Sequence, residues 1–228
     1  MQSVSATYTT ILSGKHRAEW RVRIDGTYYG ESVLESIKIS SGAFGSYPAL
    51  GSCISAEIEI KMLKPVATFS RMAQIKPYVR IKNATLTSEW LPKGIFYIDT
   101  RETSKNGGVE RLTIHGYDAM LKAECDAPIS GFPKTDKNTV NQIASQLGLT
   151  VDTGTLSAIN RGYTIQMPAE YSSREVLGYI AAAYGGCFII DDEGHLRLVR
   201  VNGFPAETNY LINTAGLAIT FGGDRILV

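Results

Sequence analysis

Three histidines, three cysteines and one short acidic run are the residues of this 228-residue chain best suited to chemistry. His16, His115 and His195 stand apart in sequence, without the i, i+4 helical spacing by which two imidazoles reach one metal ion. His115 and His195 fall on the polar sides of strand-like segments, where surface or turn packing is expected. Cys53, Cys125 and Cys187 are at least 62 residues apart and form no Cys-x-x-Cys pair. That excludes a zinc ribbon or a disulfide framework and predicts small buried thiols. Asp191-Asp192-Glu193 lacks the alternating Asp-x-Asp-x-Asp-Gly spacing that wraps calcium, so a polar hairpin turn is expected. Asp99 and Asp118 could serve as a carboxylate pair only if folding sets them about 5–9 Å apart across a cleft. The chain has no Gly-x-Ser-x-Gly nucleophile elbow and no glycine-rich phosphate loop. No catalytic, cofactor-binding or metal-ligating residue is therefore assigned, and no cofactor is expected.

Charge narrows the partners. Lys and Arg number 23 against 22 Asp and Glu, a formal charge of +1, whereas nucleic-acid binding draws on a basic excess. Specific nucleic-acid binding is not expected. No apolar run of about 18 residues occurs, so no membrane anchor is expected. Met1 to Ala6 lacks a basic and then apolar leader, which points to synthesis in a cytoplasm.

The elements that would position these residues divide into two halves. In the first, Arg21–Ile24 and Thr27–Tyr29 flank Asp25-Gly26, a two-residue hairpin signal. Ile54, Ala56, Ile58, Ile60 and Met62 alternate with Ser55, Glu57, Glu59 and Lys61, giving a strand with one wet, mixed-charge face. Alternation continues around Val79 and Ile81, and around Leu112 and Ile114. Further strands are expected at Leu86–Leu91 and Gly94–Asp99, and a Gly- and Ser-rich loop at Ser40–Ser52. Short strands with turn punctuation favour an antiparallel barrel-like sheet or a sandwich. In the second half, Asp136 can cap a helix burying Val140, Ile143, Ala144 and Leu147 and stopped by Gly148. Ser172 and Glu175 form a capping box for another helix, ended by Gly185-Gly186. A hairpin follows over 187–199. The fold class is thus α+β and β-rich, with a barrel-like domain over 1–118 and an α+β domain, two helices on hairpins, over 119–228.

Aromatic residues are the remaining candidates. Trp20, Tyr28, Tyr29, Tyr78, Trp90, Phe96 and Tyr97 all lie in the β half, where core packing and subunit contact are the expected uses. A sugar-binding platform is the competing use of the same rings.

The stretches Trp90-Leu91-Pro92-Lys93-Gly94-Ile95-Phe96-Tyr97-Ile98-Asp99 and His115-Gly116-Tyr117-Asp118-Ala119-Met120-Leu121 resemble prophage tail proteins of low-GC Gram-positive bacteria. The resemblance is to the hub or tail-tip family that includes the N-terminal region of tail-associated lysins. The runs 140–144, 173–182 and 186–198 fit the same order and spacing. What the resemblance implies is a non-enzymatic virion component, a barrel-like domain followed by α+β domains. It implies a homotrimeric ring adapting the tail tube to a tip or spike. Implied partners are a tail-tube or distal-tail protein, the tape-measure protein, and tip, spike or fibre proteins. The implied location is the virion tail, assembled in the host cytoplasm. Candidate interface residues are Phe44, Tyr47 and Leu50 in the long loop, with Trp20 and Trp90. A glycan-binding tail module and a cell-wall-degrading tail enzyme stand as alternatives. Because the last residues, Arg225-Ile226-Leu227-Val228, read as a strand still running, the chain is expected to be the N-terminal part of a longer protein.

Overall fold

Residues 4–43, 50–166 and 168–200, with the backbone of 220–221 and 224–225, are described by a computed structural model. Alternating apolar residues build its main sheet. In chain order the elements are α1 (Ala6–Leu12), β1 (Arg17–Ile24), β2 (Thr27–Tyr29), β3 (Leu34–Ser40), β4 (Glu57–Leu63) and β5 (Gln74–Lys82). There follow β6 (Leu91–Pro92), β7 (Phe96–Asn106) and β8 (Val109–Asp118). The strand order is β2-β1-β5-β7-β8-β4-β3, with β6 beside β5, and every pairing is antiparallel. The β1–β2 turn has Asp25 at φ 46° and Gly26 at φ 89°, and the β7–β8 turn has Gly107 at 59° and Gly108 at 82°. Both central residues being left-handed is what a type I′ hairpin requires.

β5 meets β7 through two residue pairs only, Gln74 with Tyr97 and Ile75 with Phe96. The sheet therefore consists of two four-stranded blocks joined at a corner. Val22, Ile24 and Ile75 from one block and Ile58, Ile60, Met62, Ile98 and Ile114 from the other share one buried core. Among the described residues no strand pairing joins β2 to β3, so the sheet is open there by hydrogen bonding.

The second half comprises a 3-10 helical turn (Ala119–Glu124), β9 (Lys134–Thr135), α2 (Asp136–Leu147), β10 (Thr150–Val151), α3 (Thr153–Ala158) and β11 (Thr164–Ile165). It continues with α4 (Ser173–Ala183), β12 (Gly186–Ile190) and β13 (His195–Arg200), and β14 (Thr220–Phe221) pairs with β15 (Asp224–Arg225). Helices α2 and α4 and the sheet β10-β13-β12 enclose a second core around Ile143, Leu177, Phe188 and Leu196. The capping box of α4 is present: Ser172 Oγ accepts from the Glu175 amide while the Glu175 carboxylate accepts from the Ser172 amide.

Four expectations need correction. Helix α2 is capped by Thr135, whose hydroxyl accepts from the Asn138 amide, because the Asp136 side chain is turned inward. Asp136, 2% exposed, accepts from the hydroxyl of Tyr184 and the amide of Tyr163. The strand expected over 86–91 shrinks to Leu91–Pro92, because Asn83 Oδ1 takes the amides of Thr85 and Leu86 and turns the chain. The strand expected from Ile54 starts at Glu57, since the residues before it serve another sheet. Cys53 and Cys187 are buried, but Cys125 is exposed, in the connection after the 3-10 turn, with Gln146 Nε2 3.2 Å from its sulfur.

Candidate assembly surface

Of the residues with chemical potential, His16, His115 and Asp99 stand apart, whereas Asp118, the acidic run 191–193 and His195 border one cleft. His16 Nδ1 lies 2.8 Å from the Gly14 carbonyl, at the surface. His115 is half-buried on β8, and His195 sits at the start of β13 beside Asp191. Asp99 is paired with Arg71 at 3.0 Å, whereas Asp118 is 3% exposed and holds two backbone amides. Among the described residues no group of three His, Cys, Asp or Glu side chains is placed to hold a metal ion.

The acidic turn has a mechanical role instead. Asp191 Oδ1 accepts from the amides of Glu193 and His195, which shapes the β12–β13 hairpin. Asp192 Oδ2 then takes the Lys93 ammonium at 3.0 Å, and the Asp192 carbonyl accepts from the Gly94 amide. The hairpin tip is thus latched onto the loop between β6 and β7. A cleft of about 760 Å³ lies beside this latch, lined by Ile54, Phe96, Asp118, Asp152 and His195 among others.

A second joint runs through residues 50–56. The Gly51 amide donates to the Gly186 carbonyl, the Phe188 amide donates to the Ser52 carbonyl, and Cys53 bridges Phe188 in parallel. This segment of the first half therefore extends the sheet of the second. It approaches α4 so closely that a Cβ on Gly178 would stand 2.8 Å from the Gly51 carbonyl oxygen. Asp118 completes the joint by accepting from the amides of Ala56 and Met120 at 2.9 Å each. Burial pushes its carboxyl up to about 6 despite those two donors. Arg174 reaches from α4 to the Met120 carbonyl, Ser55 Oγ and Glu124.

Trp20 and Trp90 do not come together. Trp20 shares the pleat parity of Val22 and Ile24 and pairs opposite Val79, toward the interior. Trp90 lies on the other side of the sheet, with the guanidinium carbons of Arg21 and Arg80 at 4.3 Å and 4.4 Å from its ring centre. Tyr28 and Tyr78 join the same outer face. Leu50 is 54% exposed, while Phe44 and Tyr47 lie outside the described residues. The outer face escaped sequence reading because Arg21, Tyr78 and Trp90 meet only through the β1–β5–β6 register. The odd-numbered Arg residues of β1 were the available signal.

Three exposed rings, Tyr163, Tyr171 and Tyr179, cluster around the buried Tyr184. Tyr163, Tyr171, Tyr179 and Tyr184 line a groove of about 480 Å³ with Ile165 and Pro168, and Tyr171 stacks edge-on to Tyr179 at 5.5 Å. Such rings can pack apolar or sugar C–H surfaces.

No protein-family model and no curated protein matches the sequence. Among solved structures, the 43 kDa tail protein of prophage MuSo2 from Shewanella oneidensis is similar at 13% identity and a TM-score of 0.57. The match covers 82% of this chain and 56% of that one. The tail protein from Neisseria meningitidis MC58 is similar at 13% identity and a TM-score of 0.56, over 79% of this chain and 51% of that one. The chain thus spans about half the length of each of these two tail proteins, and with both it shares a fold.

Proposed function

We propose that the chain is a structural, non-enzymatic component of a bacteriophage or prophage tail tip or baseplate hub. In this reading it forms part of a ring that adapts the tail tube to a tip or spike. The observation that carries the proposal is the fold shared with two tail proteins, one of them from a prophage, over about four-fifths of the chain. The double joint supports it, since a ring segment transmits load only if its halves keep one orientation. In the proposal residues 1–118 form a barrel-like ring domain and 119–228 a buttress. The intact protein is a homotrimer meeting tube or distal-tail, tape-measure and tip, spike or fibre proteins. Phe44, Tyr47, Leu50, Trp20 and Trp90 are the proposed contact residues, Trp90 through the outer face.

The test is to express the full coding sequence that contains this chain with its neighbouring tail genes, and to average negatively stained particles. A threefold ring is expected. A product that remains monomeric when its tail partners are present would overturn the reading.

A further inference from the structure

Arg21 stands where three rings converge on the outer face of β1. Its guanidinium carbon is 4.3 Å from the centre of the Trp90 ring, 4.5 Å from that of Tyr28 and 5.2 Å from that of Tyr78. Three of the cations around it have acceptors. Arg80 and Lys82 share the Glu19 carboxylate, and Arg23 Nε donates to the Gly26 carbonyl. Arg21 alone of these makes no hydrogen bond and no ion pair among the described residues, and its Nε is shut off from solvent without an acceptor. Aromatic faces stabilise the positive charge but do not satisfy N–H donors, which lie in the guanidinium plane. An Nε that solvent cannot reach is closed to a partner too, which leaves the two terminal amino groups as the donors for an acceptor.

The chemistry of that acceptor follows from shape and charge. A guanidinium held by its faces presents its edge, and that fork matches a carboxylate through two parallel N–H···O bonds. On this side of β1 and β5 a single acid, Glu19, faces Arg21, Arg23, Lys76, Arg80 and Lys82. Another negative group is therefore favoured there. Base stacking is disfavoured because the rings already carry guanidinium groups: Trp90 has Arg21 and Arg80, Tyr28 has Arg21 and Arg23.

We propose that Arg21, caged by Tyr28, Tyr78 and Trp90, is a receptor for an Asp or Glu side chain presented by a neighbouring protein chain. The inference names the chemistry of one contact in the assembly and rests on the tail reading only for that neighbour's existence.

The experiment titrates the chain with a hexaglutamate peptide and follows tryptophan fluorescence, to which Trp20 and Trp90 contribute. A hexaglutamine peptide and a hexathymidine oligonucleotide run as parallel arms. Saturable binding of hexaglutamate alone is expected. Arg21→Gln should weaken it about tenfold, and Arg21→Lys, which keeps the charge but not the fork, about fivefold, as for partly exposed charge pairs. The thermal midpoint of Arg21→Lys should match the unmodified chain, so that variant decides the matter if Arg21→Gln fails to fold. Absent hexaglutamate binding, binding that Arg21→Lys leaves unchanged, or tighter Arg21-dependent binding of the oligonucleotide would each overturn the proposal. None of these outcomes touches ring formation, so the receptor and the tail reading fail separately.

Discussion

Replacing Phe188 with Ala is expected to lower the unfolding free energy by about 3–5 kcal/mol, the largest loss from any single truncation at the joint. Phe188 is fully buried in the second core, on β12, with its backbone amide bonded to the Ser52 carbonyl. Removing the ring forfeits its transfer free energy and leaves a cavity in packing that relaxes only in part. The effect should reach the first half of the chain. Residues 51–53 lie along β12, so a loosened β12 frees them to exchange amide hydrogens faster than β4 or β8. Chemical denaturation gives the stability and hydrogen exchange gives the location. A loss below about 1 kcal/mol would mean that Phe188 is not the keystone of the second core.

The second large effect is a pH dependence at Asp118. Its carboxyl is raised from the ordinary value of 3.8 to about 6, first by burial, while the Ala56 and Met120 amides and Arg174 pull the other way. A raised acid binds its proton more tightly folded than unfolded, so its contribution to stability is present at low pH. That contribution is lost as pH rises between about 4 and about 6, and it amounts to about 3 kcal/mol. Glu19, Glu59, Glu89 and Glu175 are shifted downward by hydrogen bonds or ion pairs, and their stabilisation grows as pH rises toward 4.5. The Asp118 effect is therefore read as a difference. The stability of the unmodified chain minus that of Asp118→Asn should fall by about 2 kcal/mol from pH 4 to pH 6.5 and be nearly flat above. Asn resembles the protonated acid, so parallel curves would show that Asp118 titrates as an ordinary carboxyl.

Both effects sit at the joint, the part of the molecule least legible in the sequence. Signals carried within a few residues read true. The Asp25-Gly26 hairpin, the Ser172–Glu175 capping box and the Gly148 stop are each complete within one turn of chain, and all three are present. The alternation of Ile58, Ile60 and Met62 likewise announced a one-sided strand. Residues 51–53 carry no such signal, because their partner Phe188 is 135 positions away and their approach to α4 depends on Gly178 having no side chain. The acidic turn at 191–193 read correctly as a turn, yet its hold on Lys93 and Gly94 belongs to tertiary structure. Thr135 took the cap from Asp136 because a distant tyrosine, Tyr184, claimed the Asp136 carboxylate. The Arg21 cage followed the same pattern: its aromatic members were visible as candidates, and only the register of β1 on β5 brings them to one cation.

The joint also gives the proposed function its physical content. A ring adapter needs a surface for neighbours on one side and, behind it, a body that does not yield. In that proposal the outer face of β1 and β5 is the contact surface; the 50–56 segment, the Asp118 amide bonds and the Asp192–Lys93 latch tie the sheet to the second half of the chain.

Immunogold labelling of purified virions with antibodies raised against this chain locates it within the particle. Gold is expected at one end of the tail, at the tip distal to the head, and nowhere along the tube. Label spread along the tube, or particles that carry none of the protein, would contradict the proposal.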